Sequence, residues 1–254
     1  MTTIKQIYDF LNDFAPFENS LSFDNTGLLI GNFETEVKKA LVALDITSKV
    51  IDEAVSMGAN LIITHHPIIF KPLKNLKFDD IASKMIINGI NAICAHTNLD
   101  VAPKGVNFQL AKRLNLSNLI PLTHEENQPM GLVGTLEKEM APKEFAEFVK
   151  ENLECNGLRY TGTNRKIKKV GVCSGSGGCF VKEAKKQHCD AFVTGEIKHS
   201  DILLAGELDL MIVDAGHYKT ENVIIEPLCN ELSKRFKDVD FATSKKFTDN
   251  INYL

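Results

Sequence analysis

Short, continuously apolar runs that break off on ligand-type side chains constrain this chain more than any other feature of its sequence. ALVALD (40–45), LIITHH (61–66) and NAICAHTNLD (91–100) each carry three to five consecutive apolar residues and then turn polar. A run without polar alternation suits a strand buried on both faces, as in parallel sheets covered by helices. Between the first two runs, Val50, Ile51, Ala54 and Val55 follow helical spacing up to Gly58, a residue type suited to a helix stop. This reads as a βαβ unit. A second helix is expected near 80–88, and the third strand centres on Ala92–Ala95. Ahead of them all, Ile4, Ile7, Tyr8, Leu11 and Phe14 mark an amphipathic helix, with Thr3 and Gln6 placed for a capping box.

The pattern restarts near 126. GLVGTL, a helix over 142–152 behind Pro142, then KKVGVCSG, CDAFVTGE and DLMIVDAGH alternate in the same way, and Val239–Ala242 is a candidate last strand. The expected fold class is α/β: two α/β units with mainly parallel sheets flanked by helices, with a metal site at strand carboxyl ends between them. The polar segment THEENQP (123–129) sets the expected boundary, giving domains over 1–125 and 126–254. A discontinuous first domain that recovers the C-terminal tail is the alternative. Pro227 interrupts the helical pattern after Thr220 and predicts a kink or restart there.

With 44% hydrophobic residues, 254 residues can bury a substantial core, and 29 basic against 33 acidic residues leave no global basic field. Nucleic acid is therefore not a favoured partner. The N-terminus lacks a basic region followed by an apolar stretch, and nothing approaches the roughly 20 apolar residues of a membrane span. A cytoplasmic location without a membrane partner is expected. The six cysteines contain no C-x-x-C pair and are expected to be reduced and structural.

Ligands in open α/β sheets bind beyond the carboxyl ends of strands. Three such places carry metal-type side chains: His65 and His66 after the second strand, Asp100 after the third, and His217 with Glu221 after LMIVDAG. Imidazole with carboxylate suits Zn, Fe, Mn or Co more than Ca. Successive strand side chains point to opposite faces, and Pro67 favours an extended His66, so His65 and His66 are expected to stay splayed and serve two ions. A helical His217–Glu221 pair would stack at i, i+4, and Glu221 is the candidate bridging carboxylate. His96, with Asp45, is a candidate proton carrier or support to the ligands. SGSGG (174–178) could cradle a phosphate or simply make a tight turn, and Lys71, Lys74 and Lys77 could meet an anion or simply be solvated.

DNTGLLIG (24–31), ITHHPIIF (63–70), AHTNLD (95–100), VCSGSGG (172–178), TGEIKH (194–199) and DAGHYKTE (214–221), in this order, resemble the Ngg-interacting-factor-like family, also called GTP cyclohydrolase I type 2 homologues. The resemblance covers essentially the whole chain. It implies a dinuclear centre on His65, His66, Asp100, His217 and Glu221, holding two divalent metal ions, and a toroidal homohexamer. Many members carry two aromatic or His residues after the segment matching TGEIK (194–198), where this chain has His199 and Ser200. The expected activity is metal-dependent hydrolysis, with His96 catalytic and a nucleotide or other phosphorylated small molecule as substrate. The alternative is a non-catalytic metal-binding adaptor, metal-handling or regulatory protein.

Overall fold

A computed structural model describes residues 1–254. The chain divides into two compact units, Met1–Ala102 with Ile225–Thr248, and Pro103–Ile224 with Asp249–Leu254. A single cut near 125 does not describe this arrangement, because residue 125 ends a strand paired across a tight turn to the next.

In the first unit, α1 (Ile4–Phe14) precedes strands β1 (Gly27–Ile30), β2 (Lys39–Ala43), β3 (Leu61–Thr64) and β4 (Asn91–Cys94). Helices α2 (Ser48–Met57), α3 (Ile81–Ile87) and α4 (Thr97–Val101) follow β2, β3 and β4 in turn. The sheet order is β1-β4-β3-β2, with the C-terminal strand Asp240–Thr243 outside β2. Every pairing is parallel except β1 with β4. The capping box at Thr3 forms, and α1 buries Ile4, Ile7 and Leu11 completely. Thr47 Oγ1 accepts from the Val50 amide to cap α2, which ends at Gly58 in the left-handed conformation. Leu41, Val50, Ile51, Ile62, Met85 and Ala92 join sheet and helices in one core.

In the second unit, α5 (Val106–Arg113) precedes the hairpin β5 (Ser117–Glu125) and β6 (Gln128–Met140). Then come α6 (Pro142–Asn152), β7 (Arg159–Tyr160), β8 (Ile167–Cys173), α7 (Val181–Lys186), β9 (Ala191–Thr194), α8 (His199–Glu207), β10 (Met211–Asp214) and α9 (His217–Glu221). The order β5-β6-β8-β9-β10-β7 has a parallel centre, β8-β9-β10, with antiparallel strands on both sides. The first sheet is thus mainly parallel as expected and the second mixed: of its antiparallel strands only β6, at GLVGTL, was legible, and β5 and short β7 carry too little periodic signal to be read beforehand. A 3-10 turn, Asn222–Ile224, separates α9 from α10 (Ile225–Arg235). The helix restarts there, so Pro227 falls in its first turn, where a missing N–H costs nothing. α10 packs on β2 and on Asp240–Thr243, now β11, returning the chain to the first unit.

Candidate metal centre

The first unit gathers three imidazoles and a carboxylate. Neither His65 nor His66 belongs to β3, which ends at Thr64. The chain bends there: Thr64 Oγ1 donates to the His66 carbonyl at 2.9 Å, and the His66 amide donates to the Leu44 carbonyl at 3.0 Å. The bend overturns the expected splay. The two rings lie 5.0 Å apart between centroids, and the His96 ring lies 5.1 Å and 5.6 Å from them. Ligand atoms of His65, His66 and His96 all fall within 4.8 Å of one another. Asp100, one turn along α4 from His96, brings Oδ1 to 3.6 Å from His65 Nε2.

Each ring is aimed by what holds its Nδ1. For His65 the partner is the Ala95 carbonyl at 3.0 Å, for His66 it is Asp45 at 2.9 Å, and for His96 it is Asp24 at 2.9 Å. A carbonyl can only accept, so His65 carries its proton on Nδ1 and presents the Nε2 lone pair. Asp24 is fully engaged, accepting also from the Asn25 amide and from both the amide and hydroxyl of Thr97. Burial pushes its carboxyl up, but the hydrogen bonds from His96 and Thr97 and the His96 charge outweigh that and leave it at about 2. The Cys94 thiol, pushed well up by burial, donates to the His65 carbonyl at 3.0 Å and so fixes the bend from behind.

The second unit supplies an imidazole–carboxylate pair. Gly216 takes a φ of +84° at the start of α9, which sets His217 and Glu221 on one face with Nε2 2.9 Å from Oε2. His217 Nδ1 donates to Glu196 at 2.7 Å, and the other Glu196 oxygen accepts from Ser176 Oγ at 2.6 Å. Glu196 is held below the usual carboxylate range, with the Ser176 hydrogen bond as the largest cause. Glu221 is buried at 4% exposure.

The glycine-rich turn serves this pair by its lack of side chains. Three of its amides are committed inside the protein, Ser174 to Asn107, Gly175 to Thr220 and Gly178 to the Glu196 carbonyl, which leaves fewer donors for a phosphate cradle. A Cβ on Gly175, at φ +57°, would stand 2.1 Å from Glu221 Oε1. The glycine lets the backbone approach the buried carboxylate.

The structure therefore brings together His65, His66 and Asp100 in one unit, with His96 among them, and His217 with Glu221 in the other. Lys71, Lys74 and Lys77, like His124, His188 and His199, are exposed. Asp24 and Glu196 escaped the sequence reading. Glu196 lies just past β9, where the strand-end rule applies. Asp24 precedes β1, which runs antiparallel to β4 and so offers its amino end at the same edge.

A description of the Duf34/NIF3 (NGG1p interacting factor 3) family matches residues 2–251, and the chain belongs to that family. It is 37% identical over 227 residues to a GTP cyclohydrolase 1 type 2 homolog of Clostridium acetobutylicum, covering 86% of this chain and 85% of that protein. The homolog of the same name in Clostridium perfringens is 34% identical, over 99% of both chains. Among solved structures, a Staphylococcus aureus hypothetical protein superposes with a TM-score of 0.93 at 32% identity, over 99% of both chains. Reduced HcgD from Methanocaldococcus jannaschii superposes with a TM-score of 0.82 at 30% identity, covering 95% of this chain and 97% of that one.

Proposed function

We propose that the protein is a metal-dependent hydrolase that uses a pair of divalent ions, with His65, His66 and Asp100 of one unit and His217 and Glu221 of the other as their ligands. One observation carries the reading. All four histidines have Nδ1 engaged by a carbonyl or carboxylate, the outer support that fixes ring orientation and raises ligand basicity in metal sites. The donor set, neutral imidazole with carboxylate, fits Zn, Fe, Mn or Co. Such ions supply Lewis acidity and an acidified water when bound.

The chain's own groups divide the remaining work. Ala95, Asp45 and Glu196 orient the ligands, and Glu221 would be the carboxylate shared between the ions when they are bound. His96, held by Asp24, has Nε2 for moving a proton at the substrate. The substrate class is a nucleotide or another phosphorylated small molecule, and the assembly is a homohexamer. The name carried by the relatives supports hydrolytic chemistry.

The test is elemental analysis joined to a turnover screen. Protein purified without chelator should carry close to two transition-metal ions per chain, and His65→Ala and His217→Ala should each lower the content. Metal-free protein under metal-replete conditions would end the reading. Metal-replete protein that turns over no phosphoester, nucleotide or cyclic amide would make it a metal-binding adaptor instead. His96→Ala should keep its metal and lose roughly 10² to 10⁴ in turnover; loss of metal would make His96 a ligand.

A further inference from the structure

A cavity of about 470 Å³ opens in the second unit beside His217, walled by Leu158, Arg159, Glu196, Ile197, Ile251 and Tyr253. Its size suits a small-molecule ligand. Arg159 starts β7 and is paired in register with Asp214, the last residue of β10. The Arg159 Nε and Nη2 groups both donate to Asp214 Oδ2, and Asp214 Oδ1 accepts from the Gly216 amide. The carboxylates of the wall are thus committed inside the protein, Asp214 to Arg159 and Gly216, and Glu196 to Ser176 and His217. Arg159 differs. Its bonds leave the Nη1 hydrogens, and its side chain is 69% exposed while Asp214 holds its plane. Leu158, Ile197, Ile251 and Tyr253 supply the apolar part of the wall, and Tyr253 packs so closely over Gly157 that a Cβ there would lie 2.4 Å from the ring.

We infer that this cavity binds a small molecule carrying a carboxylate or phosphate, with the anion on Arg159 and the apolar body against Ile197, Ile251 and Tyr253. A guanidinium fixed by a carboxylate offers a preorganised fork to either anion. The inference deepens the hydrolase reading by naming how its substrate is recognised, and it rests on that reading for the chemistry that follows binding.

Calorimetric titration with phenyl phosphate and with benzoate tests it, using protein as purified. Saturable binding of either is expected, and the tighter of the two identifies the anion. Arg159→Ala should raise the Kd at least tenfold, Arg159→Lys less, and Tyr253→Ala several-fold. Arg165→Ala, which removes an exposed Arg–Asp190 pair that does not line the cavity, should bind as wild type. If elemental analysis finds no metal, saturable binding that Arg159→Ala weakens still leaves the anion site standing, so the two readings fail separately. No saturable binding of either probe, or wild-type binding by Arg159→Ala, overturns the inference. If Arg159→Ala does not fold, Arg159→Lys and Tyr253→Ala decide it: wild-type affinity in both overturns it equally.

Discussion

Asp24 and Glu196 show how single carboxylates outside the ligand set govern the centre. Replacing either by its amide keeps the shape but weakens the hold on a ring nitrogen, and such outer partners typically contribute 10- to 100-fold in metal affinity. Glu196→Gln, which loosens the ligand His217, should raise the metal dissociation constant by about that factor, measured by competition with a fluorescent chelator, whereas Asp24→Asn, which loosens His96, should keep its metal affinity and lower turnover. Unchanged metal affinity in Glu196→Gln would show that the His217 ring is positioned by packing alone. Asp24 also predicts a pH effect. Its folded pKa of about 2 lies below the ordinary carboxylate value, so its stabilising contribution is complete above about pH 4 and is lost as pH falls towards 2. In acid denaturation, Asp24→Asn should flatten the stability profile over that window, and an unchanged slope would count against the Asp24–His96–Thr97 network. Gly175→Ala is the sharpest steric probe: at φ +57° and 2.1 Å from Glu221 Oε1, the added methyl must displace the carboxylate or the turn. Metal content should fall even where the protein stays folded, as read by elemental analysis beside circular dichroism.

At the level of elements, the site depends on how strands and helices end. α2 is capped by Thr47 and stopped by Gly58, and Thr47→Ala should lower stability by about 1 kcal/mol in urea unfolding. No change in midpoint would mean that tertiary packing alone holds this turn. The parallel strands were legible because their apolar runs are continuous, and α9 because His217 and Glu221 sit four apart before a proline that forces a restart. β1, β5 and β7 were not. They are edge or hairpin strands whose residues are partly exposed, so neither strict alternation nor a fully apolar run marks them.

For the whole molecule, no helix is long and apolar enough to cross a membrane. The proposed hexamer predicts a light-scattering mass near six times 28.2 kDa, and a monomer at micromolar concentration would contradict it. By itself the sequence determined the α/β class and the ligand candidates, which follow from local periodicity and from residue types at strand ends, and the family, which rests on the resemblance of its ordered motifs. Only the tertiary structure decided three matters. The first unit closes with a strand more than 190 residues beyond its neighbour β2, a pairing that no local pattern specifies. His65 and His66 converge because hydrogen bonds from Thr64 and to Leu44 bend the chain where alternation would have splayed them. Asp24 becomes the partner of His96, and Glu196 of His217, because within each unit segments 72 and 21 residues apart meet where strands end, and side-chain contacts between separate segments are set by packing.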